Sequence, residues 1–556
     1  MKKQTQLIKL TAEILAAALF LSGCASKPAA APETAPTSAV ETSAPETAPA
    51  AETKVQETTA ETKAAETKAQ ETKPGTDPAE PENGLKWWQK TNVCEIYVRS
   101  FNDTDGDGVG DLNGITEKLD YLKELGVGAI WLTPCYKSPQ ADNGYDVADY
   151  YDIDPTFGTM EDMDRLIAEA GKRDIRIVMD LVFNHTSNEN EWFLQSESDP
   201  DGEKGDWYIW RDAKPDGSEP TNWRSIFGGS AWTWSEKRGQ YYLHTFLKEQ
   251  PDLNWENPEV RKALFDVANF WVGSDGVFDM VFEFSHIVID LPNETDWSVR
   301  REWKLTDLKK LLSDSQKTTA ENGWYPIFFE NHDQPRCIDH FFPDAEDKTG
   351  AAKVIGTLMF TLRGTPFLYQ GQEIGMRNVT WDSIEDYNDI STVGHYDYLI
   401  RECKSEEEAM EAVHHFSRDS ARTPMQWNTE TNAGFTTGKP WLPVSDDYTA
   451  VNAETEEKDP DSILSWYRAL ADLRSAHEVL TAGSYEEILN DSEQIYGFIR
   501  KTDDTEAVIL ANFSEEEAEY DSALVDGAEL LISSAGADSA PGVLKPLECV
   551  VYEKKD

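Results

Sequence analysis

Short apolar runs alternate with amphipathic segments between residues 84 and 478, which is the pattern of a parallel α/β sheet. Each run is four to eight residues of mainly apolar or β-branched character, as expected of buried strands. The predicted strands are Cys94 to Phe101, Ala129 to Cys135, Arg176 to Phe183, Val277 to Phe284, Pro326 to Asn331 and Thr365 to Gln370.

Helical spacing separates these runs. Ile115, Leu119, Leu122 and Leu125 share one helical face, and Gly126 is placed to end that helix. Further helices are predicted with Met160, Met163, Leu166, Ile167 and Ala170 on one face, from Pro258 to about Val272, and with Ile463, Leu464, Tyr467, Leu470 and Leu473 on one face. The last of these closes the large domain, 84–478.

Two further regions differ from this alternation. A Trp- and Gly-rich segment at about 186–254 interrupts it and predicts an insertion domain. Residues 479–556 contain short apolar runs at 495–499, 508–513, 530–532 and 550–552, which predict a small antiparallel β domain.

The first 24 residues resemble a bacterial lipoprotein signal peptide. They begin with Met1, Lys2 and Lys3, continue with a mostly apolar run from Leu10 to Leu21, and end at Cys24, the predicted site of lipidation. The alternative, a transmembrane helix, needs about 20 apolar residues, and this run is shorter. We therefore expect export and lipid anchoring at the outer face of the bacterial cell membrane.

Residues 25–83 are almost entirely Ala, Glu, Thr, Pro and Lys, without an aromatic residue. Such a segment cannot bury enough apolar surface to offset its conformational entropy, so it is predicted to be a disordered tether. A helical Ala/Glu/Lys spacer is the alternative, and the scattered Pro and Thr disfavour it.

Composition narrows the possible partners. The formal net charge of −52 argues against a nucleic-acid partner, because phosphates require a basic surface. Apart from Cys24 there are five cysteines without metal-like spacing, which are predicted to be buried thiols: Cys94, Cys135, Cys337, Cys403 and Cys549.

The sequence DTDGDGVGD at 103–111 has oxygen ligands at alternate positions and glycines where a loop turns sharply, as a Ca²⁺ site requires. Gly114 stands where an EF-hand would carry its bidentate Glu, so a structural site is expected and not a sensor. The predicted ligands are Asp103, Asp105, Asp107, the Val109 carbonyl and Asp111. An Asp/Gly turn without metal is the alternative.

Five motifs, in order, resemble glycoside hydrolase family 13, the α-amylase family. They are DNGYD at 142–146, DLVFNH at 180–185, QPDLN at 250–254, FENHD at 329–333 and RDSARTPMQW at 418–427. The third and fifth resemble the oligo-1,6-glucosidase and α-glucosidase branch. The resemblance implies an α-amylase-type (β/α)8 barrel with the insertion after strand 3, and an active site at the carboxyl ends of the strands.

The resemblance also implies roles for site residues. Tyr145 would stack on the sugar, and His185 and His332 would hydrogen-bond its hydroxyls. Asp333 would stabilise the transition state. Asp142 and Arg422 would hold the terminal sugar, so that the chain ends of short α-linked gluco-oligosaccharides enter. Asp180 and Asn184 would mainly shape the end of the third strand.

The catalytic nucleophile and the acid/base of the family are not found in the sequence. The family has Gly-Phe-Arg-x-Asp after its fourth strand and a Glu closing its fifth. Here Asp275 and Gly276 resemble the start of the first pattern, but the sequence from Val277 onward resembles the sixth strand of the family's barrel. About two β/α units, on the order of 60 residues, are therefore predicted to be absent.

Asp279 and Glu283 are poor substitutes for the missing carboxylates. On one strand they would lie about 13 Å apart, whereas a retaining site needs about 5 to 5.5 Å. Two hypotheses follow. The chain is an exo-acting α-glucosidase whose copy lacks its catalytic segment, through a true deletion or a fault in the recorded sequence, or it is a non-catalytic α-glucan-binding or scaffolding lipoprotein. The preference for α-1,4 or α-1,6 linkages stays open.

Overall fold

The computed structural model describes residues 84–272, 280, 282–292, 296–320, 323–402 and 404–555. The predicted signal peptide, the tether, Asp279 and Cys403 lie outside these residues. Within the described part, no helix is both long and apolar enough to span a membrane.

The first part of the barrel domain follows the predicted alternation. Its elements are α1 Trp87–Lys90, β1 Val93–Ile96, α2 Leu112–Glu117, α3 Leu119–Glu124, β2 Ala129–Leu132, β3 Tyr136–Lys137, β4 Asp149–Ile153, α4 Met160–Gly171 and β5 Arg176–Met179. The single helix predicted around 115–125 is two helices, because Lys118 leaves helical geometry at φ −98° and ψ 6°. Thr159 caps α4 with a reciprocal capping box to Asp162.

The predicted insertion is a small aromatic subdomain. It contains α5 Glu191–Ser198, β6 Trp210–Arg211, β7 Trp232–Ser235 and β8 Gln240–Leu243, with β8 paired antiparallel to both other strands. Phe193, Trp210 and Tyr242 pack together in its core. The chain then returns to the barrel in α6, Pro258–Val272, with the predicted bounds.

The second part of the barrel domain is mainly helical. Its elements are α7 Leu305–Thr318, β9 Pro326–Ile327, α8 Cys337–Phe341, α9 Lys348–Thr361, β10 Thr365–Tyr369, α10 Ile390–Arg401, α11 Glu406–Phe416, α12 Asp419–Arg422, α13 Ala453–Glu456, α14 Ile463–Ala476 and α15 Glu478–Ala482.

Five of the six predicted barrel strands are present and form one parallel sheet in the order β5-β2-β1-β10-β9. The sixth, Val277 to Phe284, is not a strand where it is described, at 282–284. Phe282 instead packs its ring on Trp131, Phe328 and Phe367. The backbone turns at Phe284, whose carbonyl accepts hydrogen bonds from the backbone N–H groups of Ile287 and Val288. Side-chain packing thus accounts for the apolar residue at position 282.

The C-terminal domain is antiparallel, as predicted. Its strands are β11 Ser484–Ile488, β12 Ile495–Lys501, β13 Thr505–Asn512, β14 Ala518–Glu519, β15 Glu529–Ser533, β16 Val543–Leu544 and β17 Cys549–Lys555, and the main sheet has the order β11-β12-β13-β17-β15. Lys309 of α7 is buried against this domain and donates to the carbonyls of Leu489, Ser492 and Ile495.

The thiols of Cys94, Cys135, Cys337 and Cys549 are free and buried, which confirms that part of the cysteine prediction. They belong to the main apolar core, which runs through the sheet, the surrounding helices and one face of the C-terminal domain.

Candidate active site

A cavity of about 280 Å³ is lined by loops that follow β2, β5 and β9. Asp142, Tyr145, His185 and Asp333, all singled out from the sequence, line it. Since the strands are parallel, their carboxyl ends meet at one edge of the sheet, where barrel enzymes place their active sites.

The loop that carries Asp142 and Tyr145 is held by the carboxylate of Asp146. This group accepts the backbone N–H groups of Ala141 and Asp142 and the hydroxyl of Ser138. Gly144 has φ 105°, and a Cβ at this position would lie 2.6 Å from the Pro134 carbonyl oxygen, so glycine is required. The turn directs Tyr145 toward the cavity, where its hydroxyl donates to Asp180 at 3.0 Å.

His332 lies between two tyrosine rings. Its ring stacks on Tyr97 with centroids 5.8 Å apart and on Tyr145 with centroids 5.3 Å apart. Its Nδ1 contacts the buried carboxylate of Glu95, and its Nε2 is 3.3 Å from Asp333. Burial alone would lower the pKa of His332, but Asp333 and Glu95 outweigh it and raise the pKa to about 10. His332 is therefore an imidazolium at neutral pH.

Asp333 receives two guanidinium groups. Its Oδ1 accepts from Arg418 at 2.9 Å and from Arg422 at 2.6 Å. Burial raises its pKa, but His332, Arg418 and Arg422 together hold the pKa of Asp333 well below its usual range. The carboxylate stays ionised and can stabilise positive charge that develops in the cavity.

The two arginines occupy different positions. Arg418 lines the cavity and lies over the ring of Phe227, with its Nη2 3.9 Å from Asp142. Arg422 is buried behind Asp333 and also donates to the His332 carbonyl. Both approach the buried Asp389, so Arg422 fixes the Asp333 loop while Arg418 faces the ligand space.

His185 and Asp142 are joined through Gln250. The Gln250 amide donates to Asp142 at 2.9 Å and lies 3.1 Å from His185 Nε2. Burial raises the pKa of Asp142 to about 6 and lowers the pKa of His185 to about 4. His185 is consequently a neutral hydrogen-bonding group at pH 7.

Glu283 is directed away from the cavity. Its carboxylate accepts the hydroxyl of Ser315 on α7 at 3.2 Å and the backbone N–H of Ser285. The carboxylates among the described residues that line the cavity are Asp142 and Asp333. Asp279, the other substitute considered from the sequence, lies outside the described residues.

In the Asp-rich loop, carboxylate oxygens of Asp103, Asp105 and Asp111 lie within 4.8 Å of one another. Asp107 is not in this group, and its carboxylate accepts the Val109 N–H at 2.8 Å. Three of the five predicted ligands therefore converge, and all three offer the oxygen donors that Ca²⁺ prefers.

Sequence analysis missed several residues that shape the site. Arg418 and Gln250 lie inside quoted motifs but received no role there. Glu95 is a charged residue within the apolar strand β1, and that anomaly is the signal by which it could have been found. Asp389 could not be identified from any sequence motif, because only the tertiary fold brings it close to Arg418 and Arg422.

Comparison with known proteins agrees with this geometry. The family described as alpha amylase, catalytic domain, matches residues 95–278 and 273–483. The chain is 38% identical to an oligo-1,6-glucosidase of Parageobacillus thermoglucosidasius, over 84% of this chain and 99% of that protein. It is also 38% identical to a trehalose-6-phosphate hydrolase of Bacillus subtilis strain 168, with 84% and 98% covered.

Among solved structures, a trehalulose synthase from Pseudomonas mesoacidophila MX-45 superposes with a TM-score of 0.80 at 36% identity, covering 84% of this chain and all of that one. The described sheet is accordingly part of an α-amylase-type barrel with a C-terminal antiparallel β domain. The chain belongs to the alpha-amylase family.

Proposed function

We propose that this protein recognises the terminal glucose unit of short α-linked gluco-oligosaccharides in the cavity. The observation that carries the proposal is the convergence of Asp142, Tyr145, His185, Asp333 and Arg418 on one small space. Relatives named as oligo-1,6-glucosidases and a glucan 1,6-alpha-glucosidase support this substrate class. They favour a hydrolase lineage over a scaffolding protein.

Each polar group has a role in this proposal. Tyr145 offers its ring to the sugar and His185 binds its hydroxyls, whereas His332 does not line the cavity and instead keeps Asp333 ionised. Asp142 and Arg418 take the far hydroxyls of the terminal unit, since Arg418 rather than Arg422 reaches the cavity surface. Arg422 holds Asp333 in place.

We further propose that two β/α units of the barrel are absent, which removes the nucleophile and the acid/base. Between β5 and β9, which correspond to the third and seventh strands of the family's barrel, the described residues outside the insertion contain two helices, α6 and α7, and residues 273–304 connect them. A complete eight-stranded barrel would place three strands and four helices between its third and seventh strands. Residues 273–304 are only about as long as one β/α unit, since eight such units share about 250 residues.

The lengths of the alignments support the same proposal. The alignment with the Parageobacillus protein is 556 positions long and covers 99% of that protein. Only 84% of the 556 residues of this chain take part in it. The other positions of the alignment hold residues of the relative that have no counterpart in this chain. The two stretches that match the family meet at 273–278. This overlap supports our proposal that the missing segment belongs at this junction.

Without that segment, the site lacks the two carboxyl groups that carry out hydrolysis. A retaining glycosidase needs a nucleophilic carboxylate and a protonated carboxyl about 5 to 5.5 Å apart. Asp333 is ionised by its cationic neighbours, and Asp142 is bound by Gln250 in a position suited to sugar hydroxyls. We infer that the chain binds α-glucosides without turning them over.

Isothermal titration of the full chain with isomaltose tests the recognition. We expect saturable binding that Asp142→Ala and Arg418→Ala weaken by at least about tenfold, because each removes a charge-assisted hydrogen bond. His477→Ala is the matched control, since His477 contacts Glu553 of the C-terminal domain. Equal affinity in all four proteins would reject the cavity as the glucose site.

We also propose that Asp103, Asp105 and Asp111 hold one Ca²⁺, with Asp107 and the Val109 carbonyl completing the oxygen set. A metal that binds only the folded state raises stability by mass action. Chelation should therefore lower the thermal midpoint, and Asp103→Asn should remove the response. Unchanged melting with no calcium in metal analysis would reject this site.

Lipid anchoring through Cys24 is proposed for the same chain in its cell. Intact-mass analysis of the membrane fraction should find a lipid-modified N-terminus, which Cys24→Ala would abolish. An unmodified, unprocessed Met1 terminus in that fraction would reject it.

A further inference from the structure

A second cluster of ligand-type side chains lies beside the cavity, outside the sugar-binding group. Asp290 is the last residue of the turn at 285–290, His340 belongs to α8, and His415 lies near the end of α11. One ligand atom from each of these residues lies within 4.8 Å of those of the other two. Three distant segments of the chain thus converge on one point.

The contacts within the cluster are close. His415 Nε2 lies 2.7 Å from Asp290 Oδ2, and His340 Nε2 lies 3.6 Å from Asp290 Oδ1. The planes of the two imidazole rings are inclined by 28°, with centroids 5.8 Å apart. The chain therefore presents two imidazole nitrogens and a carboxylate to the same small volume.

Two of these atoms are buried without a hydrogen-bond partner among the described residues. They are His340 Nε2 and Asp290 Oδ1, which face each other. The Asp290 side chain is fully buried, and that of His340 is 4% exposed. A buried polar atom without a partner is destabilising, so an occupant that bonds to both atoms would stabilise this part of the fold.

We propose that Asp290, His340 and His415 bind one divalent transition-metal ion, with Zn²⁺ the best match. Two histidines and a carboxylate are a typical zinc ligand set, with Zn–N bonds of about 2.0–2.1 Å. Tetrahedral ligands at that distance lie roughly 3.3 Å apart, close to the separations found here. Nitrogen donors also distinguish this site from the all-oxygen loop at 103–111.

One cation stands near the proposed site. Arg300 Nε is 3.6 Å from Asp290 Oδ2, but its side chain is 42% exposed and can turn into solvent. Removing this charge should strengthen metal binding, because two cations would no longer compete for one carboxylate.

Three protein ligands leave one coordination position of a tetrahedral ion open. His340 lines the same cavity as Asp333, as do Leu291 and Phe416, the neighbours of Asp290 and His415. The open position is thus next to the cavity, where water or an oxygen donor of a cavity ligand can fill it. This assignment does not depend on the proposed sugar recognition.

Zinc titration of the full chain, first stripped with a chelator and then saturated with Ca²⁺ to fill the Asp-rich loop, tests the site. We expect one Zn²⁺ per chain that Ca²⁺ does not displace. His340→Ala, His415→Ala and Asp290→Asn should each lower the affinity by more than the 10- to 100-fold typical of losing an outer-shell partner. His414→Ala is the matched control, because His414 contacts the Trp381 carbonyl instead.

X-ray absorption of the zinc-loaded wild-type chain identifies the metal ligands directly. It therefore tests the site even if a variant does not fold. The expected spectrum contains two imidazoles and oxygen donors. The proposal is overturned if the wild-type chain binds no zinc beyond the Ca²⁺-saturated loop. It is also overturned if the spectrum lacks two imidazoles, or if folded His415→Ala binds zinc like His414→Ala.

Discussion

At the scale of single residues, the two carboxylates of the cavity differ in protonation because their neighbours differ. Asp333 faces His332, Arg418 and Arg422, whereas burial dominates at Asp142. Residue type and motif were enough to select both carboxylates from the sequence. Their opposite pKa shifts depend on distances that only the tertiary structure supplies.

The raised pKa of Asp142 makes sugar binding sensitive to pH. Above about 6 its carboxylate is ionised and accepts sugar hydroxyls strongly, and below that pH it becomes a neutral acid. Isomaltose affinity should fall as pH decreases through 6, by about tenfold for the loss of a charge-assisted bond. Titrations between pH 5 and 7.5 check this, with Asp142→Asn as a variant whose affinity stays flat. An equally steep fall in Asp142→Asn would assign the effect to another group.

Gly108 in the Asp-rich loop cannot be replaced without strain. Its φ is 99°, and a Cβ there would lie 2.0 Å from the Lys439 carbonyl oxygen. Gly108→Ala should lower the free energy of unfolding by at least about 1–2 kcal/mol, the cost of a left-handed L-residue. Gly171→Ala, at a helix end with open space around it, is the control and should be neutral or slightly stabilising. Equal urea midpoints for the two variants would contradict this.

At the scale of elements, the bounds of α6 were predicted better than the ends of most strands. The helix Pro258–Val272 has the predicted bounds, since its start and its apolar spacing are both local signals. The strands β1, β2, β5 and β9 end three to five residues earlier than their apolar runs. The residues that follow leave the sheet to build the site, and this choice is set by tertiary contacts.

Lys309 of α7 ties the barrel to the C-terminal domain. Its ammonium group donates to three carbonyls at 2.6, 3.0 and 3.3 Å. Lys309→Leu should reduce the free energy of unfolding by more than about 2 kcal/mol, because it leaves buried acceptors unpaired. Lys310→Leu is the control on the same helix, where the side chain is 72% exposed and pairs with Asp314. Chemical unfolding that shows the two variants alike would refute this role.

At the scale of the whole molecule, the family could be recognised from five motifs, whereas the predicted loss of two β/α units rests on motifs that the sequence does not contain. The described parallel sheet has β5 and β9 at its two ends. Motifs report local geometry around the cavity, whereas closure depends on the number of strands and their stagger.

Restoring the proposed missing segment should restore catalysis. Replacing residues 273–279 with the stretch of the Bacillus cereus oligo-1,6-glucosidase that aligns with this junction is designed to return the proposed missing units. We expect the chimaera to hydrolyse isomaltose and Asp333→Ala in the chimaera to be inactive. A folded chimaera without activity would argue that the remaining pocket no longer supports the chemistry.

Turnover by the natural chain tests the central claim most directly. Purified full-length protein and its Asp333→Ala variant are assayed with p-nitrophenyl α-glucoside and isomaltose. General acid catalysis alone contributes about 10² to 10⁴-fold, and loss of the covalent route removes more, so both proteins should stay at background. Hydrolysis by the natural chain that Asp333→Ala abolishes would contradict the account, because a complete catalytic centre would then be present.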